Sequence, residues 1–242
     1  MGGKMDVYID IASLYSYIAF YHLLNNRDLL AAHGVQVELH PVLLGAINAA
    51  SGNKPPWSLP AKATYGTFDA RRAAVRAGLP GIQTPPNFMD RSMTVLPLRA
   101  LHFVKKHYPD AVYQTTWHWL LRSFWEPPNH NVTRPDALVG ILADAPRQYP
   151  PPPGADDKLF AEADVRRIVE GAATQEIKDS VKKTTQEAID RGAFGAPWIW
   201  AVNETGEGEP FFGSDRFHFV YEYLNVPYQD IAILPPSEAA KL

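Results

Sequence analysis

Ser13 and Ser16 stand three residues apart, where the apolar run Val7-Tyr8-Ile9-Asp10-Ile11 gives way to a helical pattern. Redox proteins place two cysteines at that spacing. This chain of 242 residues has no cysteine at all. Disulfides, thiolate metal sites and a cysteine nucleophile are therefore excluded. A serine hydroxyl at a helix start can instead donate to an anion carried in by a ligand, keeping its own proton. Ser13 is equally suited to be an ordinary N-cap.

Two further segments could cooperate with Ser13. In "GAFGAPWI", Pro197 lies between a small residue and an apolar strand, which suits a cis bond in a tight turn. There the N–H and C=O of Ala196 would be free to pair with an extended peptide. In "FGSDR", Gly213 permits close approach, and Ser214 or Asp215 would cap the last helix. Free N–H groups at a helix start favour a carboxylate, and Asp215 can accept from an ammonium. Each segment alone reads as a turn or a cap. Together they describe a ligand with an amino-acid head, a backbone to pair and a reacting group near Ser13. Glutathione has all three, and its thiol supplies the missing sulfur.

The magnitudes are sufficient. A hydrogen bond to a charged group contributes about 1.5–3 kcal/mol, and a helix N-terminus about 0.3–1. A thiol starting near 8.5 would fall to about 6.5, raising its ionised share at pH 7 from about 3% to about 75%.

The elements that must hold these residues are legible in part. Val7, Ile9 and Ile11 alternate as in a strand. Residues 14–32 carry apolar positions at helical spacing, closed by His33-Gly34. Val35, Val37 and Leu39 form a second strand, so a parallel β-α-β unit is expected. "SGNKPPWSLP" (51–60) reads as irregular structure. Residues 61–190 read as mostly helical, with Pro135 at a helix start, a stiff loop "QYPPPPG", and an amphipathic block closed by Gly192. "PWIWAV" and "EPFFG" read as strands, and "RFHFVYEYL" as a last helix. With the helical stretch removed, the element order is that of a thioredoxin fold. The expected fold class is α/β. Residues 1–57 plus 184–242 form a discontinuous thioredoxin-like unit, interrupted by an all-helical domain at 58–183.

Composition narrows the partners. A net charge of -3 gives no basis for nucleic-acid binding. No apolar run is long enough to span a membrane, and the start MGGKMD lacks the apolar stretch of a signal peptide. The eight histidines are scattered without H-x-x-x-H or H-E-x-x-H spacing, so no metal is expected. Ala240-Lys241-Leu242 is a close variant of a peroxisomal address. A hydrolase is disfavoured, because there is no G-x-S-x-G and no histidine set to activate Ser13.

Four segments in order resemble the kappa-class glutathione transferases, within the DsbA-like branch of the thioredoxin superfamily. "IDIASLYSYIAF" is similar to the family's D-x-x-S-P-Y-S-W, and "SGNKPPWSLPAKATY" to its S-G-N-K-P-P block. "GAFGAPWI" and "FFGSDR" match its last two glutathione-contacting segments. The resemblance implies a DsbA-like fold with a helical insertion, and a homodimer in mitochondria or peroxisomes. It also implies conjugation of glutathione, the co-substrate, to small electrophiles, with peroxide reduction as a further activity. It maps the catalytic serine to Ser13 and the glutathione contacts to Tyr15, Asn53, Lys62, Ala196, Ser214 and Asp215, beside Pro197. Lys62 could pair with the glycine-end carboxylate. Leu14 and Tyr17 depart from the usual proline and tryptophan, and "QYPPPPGADD" looks like an extension. Trp57, Trp119, Trp125, Phe88 and Tyr65 suit either an apolar pocket or the core. Two alternatives remain: a glutathione-dependent 2-hydroxychromene-2-carboxylate isomerase, and a non-catalytic glutathione- or peptide-binding module.

Overall fold

The computed structural model describes residues 2–229, so Ala240-Lys241-Leu242 lies outside the described residues. Strand β1 (Gly3–Ile9), helix α1 (Leu14–Ala32) and strand β2 (Val35–Pro41) form the expected crossover unit. Gly34, at φ +73°, turns the chain from α1 into β2. Strands β3 (Trp198–Val202) and β4 (Gly208–Phe212) follow much later, and helix α10 (Phe217–Tyr223) after them. The sheet order is β2-β1-β3-β4. β1 pairs parallel with β2 and antiparallel with β3, so Met5 lies between Val37 and Ala201.

Met5, Val7, Tyr8 and Ile9 of β1 are all buried because helices cover both faces of the sheet, and Asp6 among them is ion-paired with Lys4. Met5, Val7 and Ile9 face a large core that includes Tyr17 and Phe20 of α1. Tyr8 faces a smaller cluster with Val42, Ile47, Ala188 and Trp198. The intervening helices are α2 (Leu44–Ser51), α3 (Pro60–Arg76), α4 (Phe88–Arg91), α5 (Val95–His107) and α6 (Asp110–Trp125), then α7 (Pro135–Asp144), α8 (Glu162–Ala172) and α9 (Gln175–Asp190). Leu98, Leu101, Trp117, Leu120 and Ile168 of these helices belong to the same core as Met5 and Val7. The helical segment is thus packed into the sheet's own core. Residues 183 and 184, the expected boundary, lie within α9, and residue 57 lies in a 3-10 turn.

The irregular structure expected over 51–60 needs correction. Ser51 ends α2, Gly52 closes it at φ +72°, Pro56–Ser58 forms one 3-10 turn and Pro60 opens α3. Proline fits at such starts because the first-turn N–H groups have no helical partner. Among the described residues, no helix is long and apolar enough to cross a membrane.

Candidate functional site

Ser13 precedes α1 with extended backbone (φ -101°, ψ 114°), and its Oγ accepts the Ser16 N–H at 3.1 Å. It is therefore an N-cap, and it does more than cap. Its hydroxyl donates to the Ala196 carbonyl at 2.9 Å, and the following Ala196-Pro197 bond is cis. The Ala196 carbonyl is thus not free, as expected from sequence, but engaged. Ser13 is 7% exposed, and a hydroxyl buried this far must spend its proton on an acceptor.

Residues 194–197 are the hub of the site. Ser13 reaches Ala196. Asn53 Nδ2 donates to the Phe194 carbonyl at 2.7 Å. Gly213 N–H donates to the Pro197 carbonyl at 3.1 Å. Three segments far apart in sequence therefore converge on one loop by three named bonds. Gly213 has φ +98°, and a Cβ there would stand 2.7 Å from Asp215 Oδ1, so the turn depends on glycine.

Tyr15, on the first turn of α1 beside Ser13, joins that helix to α3. Its hydroxyl donates to Asp69 Oδ2 at 2.7 Å, and Tyr65 donates to the other oxygen at 3.3 Å. Burial, and then the neighbouring Asp69 and Asp215, raise the Tyr15 pKa well above that of free tyrosine, so the phenol stays protonated. Lys62 lies two turns before Asp69 on α3, about 10 Å away on the same face. It is exposed and has no hydrogen-bond or ion-pair partner among the described residues. Among the described residues, no named bond joins Lys62 to the 194–197 loop.

The FGSDR segment differs from expectation in one respect. Ser214 and Asp215 do not cap α10; Arg216 is the residue before the helix, with no side-chain cap bond. Gly213 ends β4 with a turn that places both residues one step early. Ser214 is half-buried, while Asp215 is exposed and ion-paired with Arg216. The five aromatics also divide. Trp125 is core, and its Nε1–H donates to Ile11 O at 2.8 Å, tying α6 to the turn before Ser13. Trp119 is partly buried and its Nε1–H donates to Ile141 O. Phe88 packs between Trp57, Phe124 and Trp125, whereas Trp57 and Tyr65 are 45% and 60% exposed.

Sequence reasoning missed Asp69 and the Phe194 carbonyl, since no local signal marks a partner supplied from another element. The Ser16 N–H could have been found, because N-cap oxygens accept from this position. Among the described residues, Asp6, Glu38 and His40 place potential metal ligands within 4.8 Å of one another. Lys4, Lys105 and Arg191 already neutralise that group with ion pairs of 2.8–2.9 Å.

The family model for the DSBA-like thioredoxin domain matches residues 4–140 and 158–225. The chain belongs to the DSBA-like thioredoxin family. The unmatched residues 141–157 contain the proline-rich extension. This DSBA-like chain is similar along nearly its whole length to kappa-class transferases. It is 28% identical over 229 residues to glutathione S-transferase kappa 1 of Caenorhabditis elegans, covering 93% of this chain and 92% of the relative. It is 25% identical over 241 residues to glutathione S-transferase kappa 1 of Homo sapiens, covering 98% and 97%. Among solved structures, a 2-hydroxychromene-2-carboxylate isomerase superposes with a TM-score of 0.66 at 17% identity, over 92% of this chain and 94% of that one. A probable DsbA oxidoreductase from Streptomyces coelicolor gives 0.64 at 17% identity, over 95% and 94%. These two likenesses speak for the DsbA-like fold.

Proposed function

We propose that this chain is a glutathione transferase in which Ser13 holds the glutathione sulfur as a thiolate. The observation that carries this is the Ser13 hydroxyl at the start of α1, fixed by the Ser16 N–H and turned toward Ala196 beside a cis proline. Rotation about the Cβ–Oγ bond would redirect the proton from the Ala196 carbonyl to a bound sulfur. The Ser16 N–H can stay on the oxygen throughout.

The exchange gives up a neutral hydrogen bond of about 0.5–1.5 kcal/mol for a charge-assisted one of about 1.5–3. The helix N-terminus adds about 0.3–1. The net gain lowers a thiol near 8.5 by one to two units, to about 7, so about half is ionised at pH 7. That is less than the sequence-based figure, because the proton already has a partner in the free protein. The thiolate then forms a bond to the electrophilic carbon, and the leaving group departs with its electron pair. With an organic peroxide, two glutathione molecules become the disulfide, and the peroxide takes up two electrons and two protons to give an alcohol and water.

Tyr15, Asn53, Lys62, Ala196, Pro197, Ser214 and Asp215 would hold the tripeptide. Lys62 suits the glycine carboxylate, and Ser214 with Asp215 suits the amino-acid head. The kappa-class relatives named above support glutathione as co-substrate. We include in the proposal a homodimer and a peroxisomal address at Ala240-Lys241-Leu242. The superposition on the isomerase favours one second reading, glutathione-dependent 2-hydroxychromene-2-carboxylate isomerisation.

Calorimetric titration with glutathione and with S-methylglutathione tests the site. Micromolar-to-millimolar binding weakened by methylation is expected. Equal affinity for both removes Ser13 from the sulfur. Turnover of a hydroxychromene carboxylate without glutathione consumption selects the isomerase instead.

A further inference from the structure

Asp10 is fully buried, yet none of its partners carries a charge. Its Oδ1 accepts the Thr94 hydroxyl at 2.5 Å and the Ala12 N–H at 3.0 Å, and its Oδ2 accepts the Leu44 N–H at 2.7 Å. These three groups open three helices. Ala12 lies in the turn before α1. Leu44 is the first residue of α2, whose own N-cap, Leu43, has no side chain to cap with. Thr94 is the N-cap of α5, and it spends its hydroxyl on Asp10 instead of on its helix. Thr94 is itself fully buried.

The backbone of Asp10 reaches Ser13 directly. Ser13 N–H donates to the Asp10 carbonyl at 3.1 Å, and Asp10 N–H points to Ser16 Oγ at 3.4 Å. Ser16 N–H in turn holds Ser13 Oγ. Asp10 therefore fixes the turn that aims the Ser13 hydroxyl, from its side chain on one side and its main chain on the other. A buried carboxylate costs several kcal/mol to desolvate, so its position here demands compensation that a merely structural residue of equal size would not need.

We propose that Asp10, locked by the Thr94 hydroxyl, is the positioning residue for Ser13. This rests on the glutathione assignment made above. Loss of the Thr94 bond frees the Asp10 side chain and loosens the turn beneath Ser13, which disfavours the thiolate. Burial pushes the Asp10 carboxyl up to about 6, against the pull of Thr94 and of the Ala12 and Leu44 N–H groups, so that its ionisation is finely balanced.

The test measures thiolate absorbance of bound glutathione against pH, together with kcat and KM, in wild type, Thr94→Val, Thr94→Ser, Asp10→Asn and Ser13→Ala. Valine is nearly isosteric with threonine and lacks only the hydroxyl. Thr94→Val is expected to raise the bound thiol pKa by about half a unit, which is about threefold in thiolate below the pKa. It should lower kcat by a similar factor, hold KM for glutathione within about twofold, and recover in Thr94→Ser. A Thr94→Val thiol titration identical to wild type overturns the inference. Asp10→Asn keeps the shape and removes the charge. A raised thiol pKa there supports positioning, and a lowered one overturns it, because the carboxylate would then act by charge alone. If wild type shows no lowered thiol pKa, or Ser13→Ala titrates like wild type, the glutathione assignment fails and takes this inference with it. If those two behave as expected and only the Thr94 pair does not respond, the failure is confined to Asp10.

Discussion

Ser13 Oγ donates to the carbonyl of Ala196, 183 residues further along the chain, at 2.9 Å. That bond joins the start of α1 to the turn before β3. In the free protein the hydroxyl proton already has a partner. In the function proposed above, activation of a thiol is therefore an exchange of acceptors, limited by the difference between two hydrogen bonds.

Ser13→Ala should leave glutathione affinity within a few-fold of wild type and return the bound thiol pKa to about 8.5. At pH 7 the conjugation rate at saturating glutathione should fall about tenfold or more, with the thiolate fraction. Loss of the cap also costs about 1 kcal/mol of stability. Thiolate absorbance against pH is the deciding measurement. Unchanged titration in the alanine variant leaves a binding module.

Lys62→Ala should do the converse. Its ammonium is free of protein partners among the described residues, so removal costs the protein nothing measurable in stability. Loss of a charge-assisted bond to a carboxylate should weaken glutathione binding about tenfold or more, with the bound thiol pKa unmoved. Calorimetry gives the first quantity and absorbance the second. Full-strength binding by the variant removes α3 from the site.

Acid should destabilise the fold before most carboxylates titrate. Burial pushes His118 down to about 4, with Arg122 adding to it. Burial likewise pushes His102 down to about 4, against its bond to the Pro41 carbonyl. Both stand near 6.5 when unfolded, so between about 4 and 6.5 the unfolded chain binds more protons, and stability rises with pH. Each contributes up to about 3 kcal/mol across that window. Asp10 works against them: its raised pKa makes the native state bind the extra proton between about 4 and 6, so its contribution falls as pH rises. Two histidines outweigh one carboxyl. Urea midpoints should drop on going from pH 6.5 to pH 4, and His118→Phe should shrink that drop. A variant with an undiminished drop would show that this histidine protonates freely in the folded state.

Gly171→Ala should destabilise although it improves helix propensity. A Cβ there would stand 2.0 Å from Phe103 Cε2, where α8 crosses α5, and the ring is packed with His107 and Arg167. Overpacking costs about 1–3 kcal/mol, against about 0.5–1 gained by replacing glycine in a helix. A thermal melt of the variant reports the balance. An unchanged or higher midpoint would mean that Phe103 yields freely.

The sequence by itself determined the elements whose signals are local. Alternation in Val7-Tyr8-Ile9, helical spacing through α1, Gly34 at its end, and the serine ahead of it were all readable, because strands, helices and caps arise from neighbours within a few residues. Four motifs in order were also enough to indicate the family. α2 was not readable because it is short and its N-cap, Leu43, carries no capping group, and the 3-10 turn at Pro56–Ser58 was not readable because prolines mark helix starts as readily as they mark loops. Tertiary structure alone decided which side chain meets which. Asn53 on the Phe194 carbonyl, Tyr15 on Asp69, Thr94 on Asp10 and Ser13 on Ala196 are bonds across 54 to 183 positions. No periodicity encodes such pairings. The buried ones, Thr94 on Asp10 and Ser13 on Ala196, form because burying the polar groups of one element compels it to find partners on whichever elements the apolar core has brought alongside.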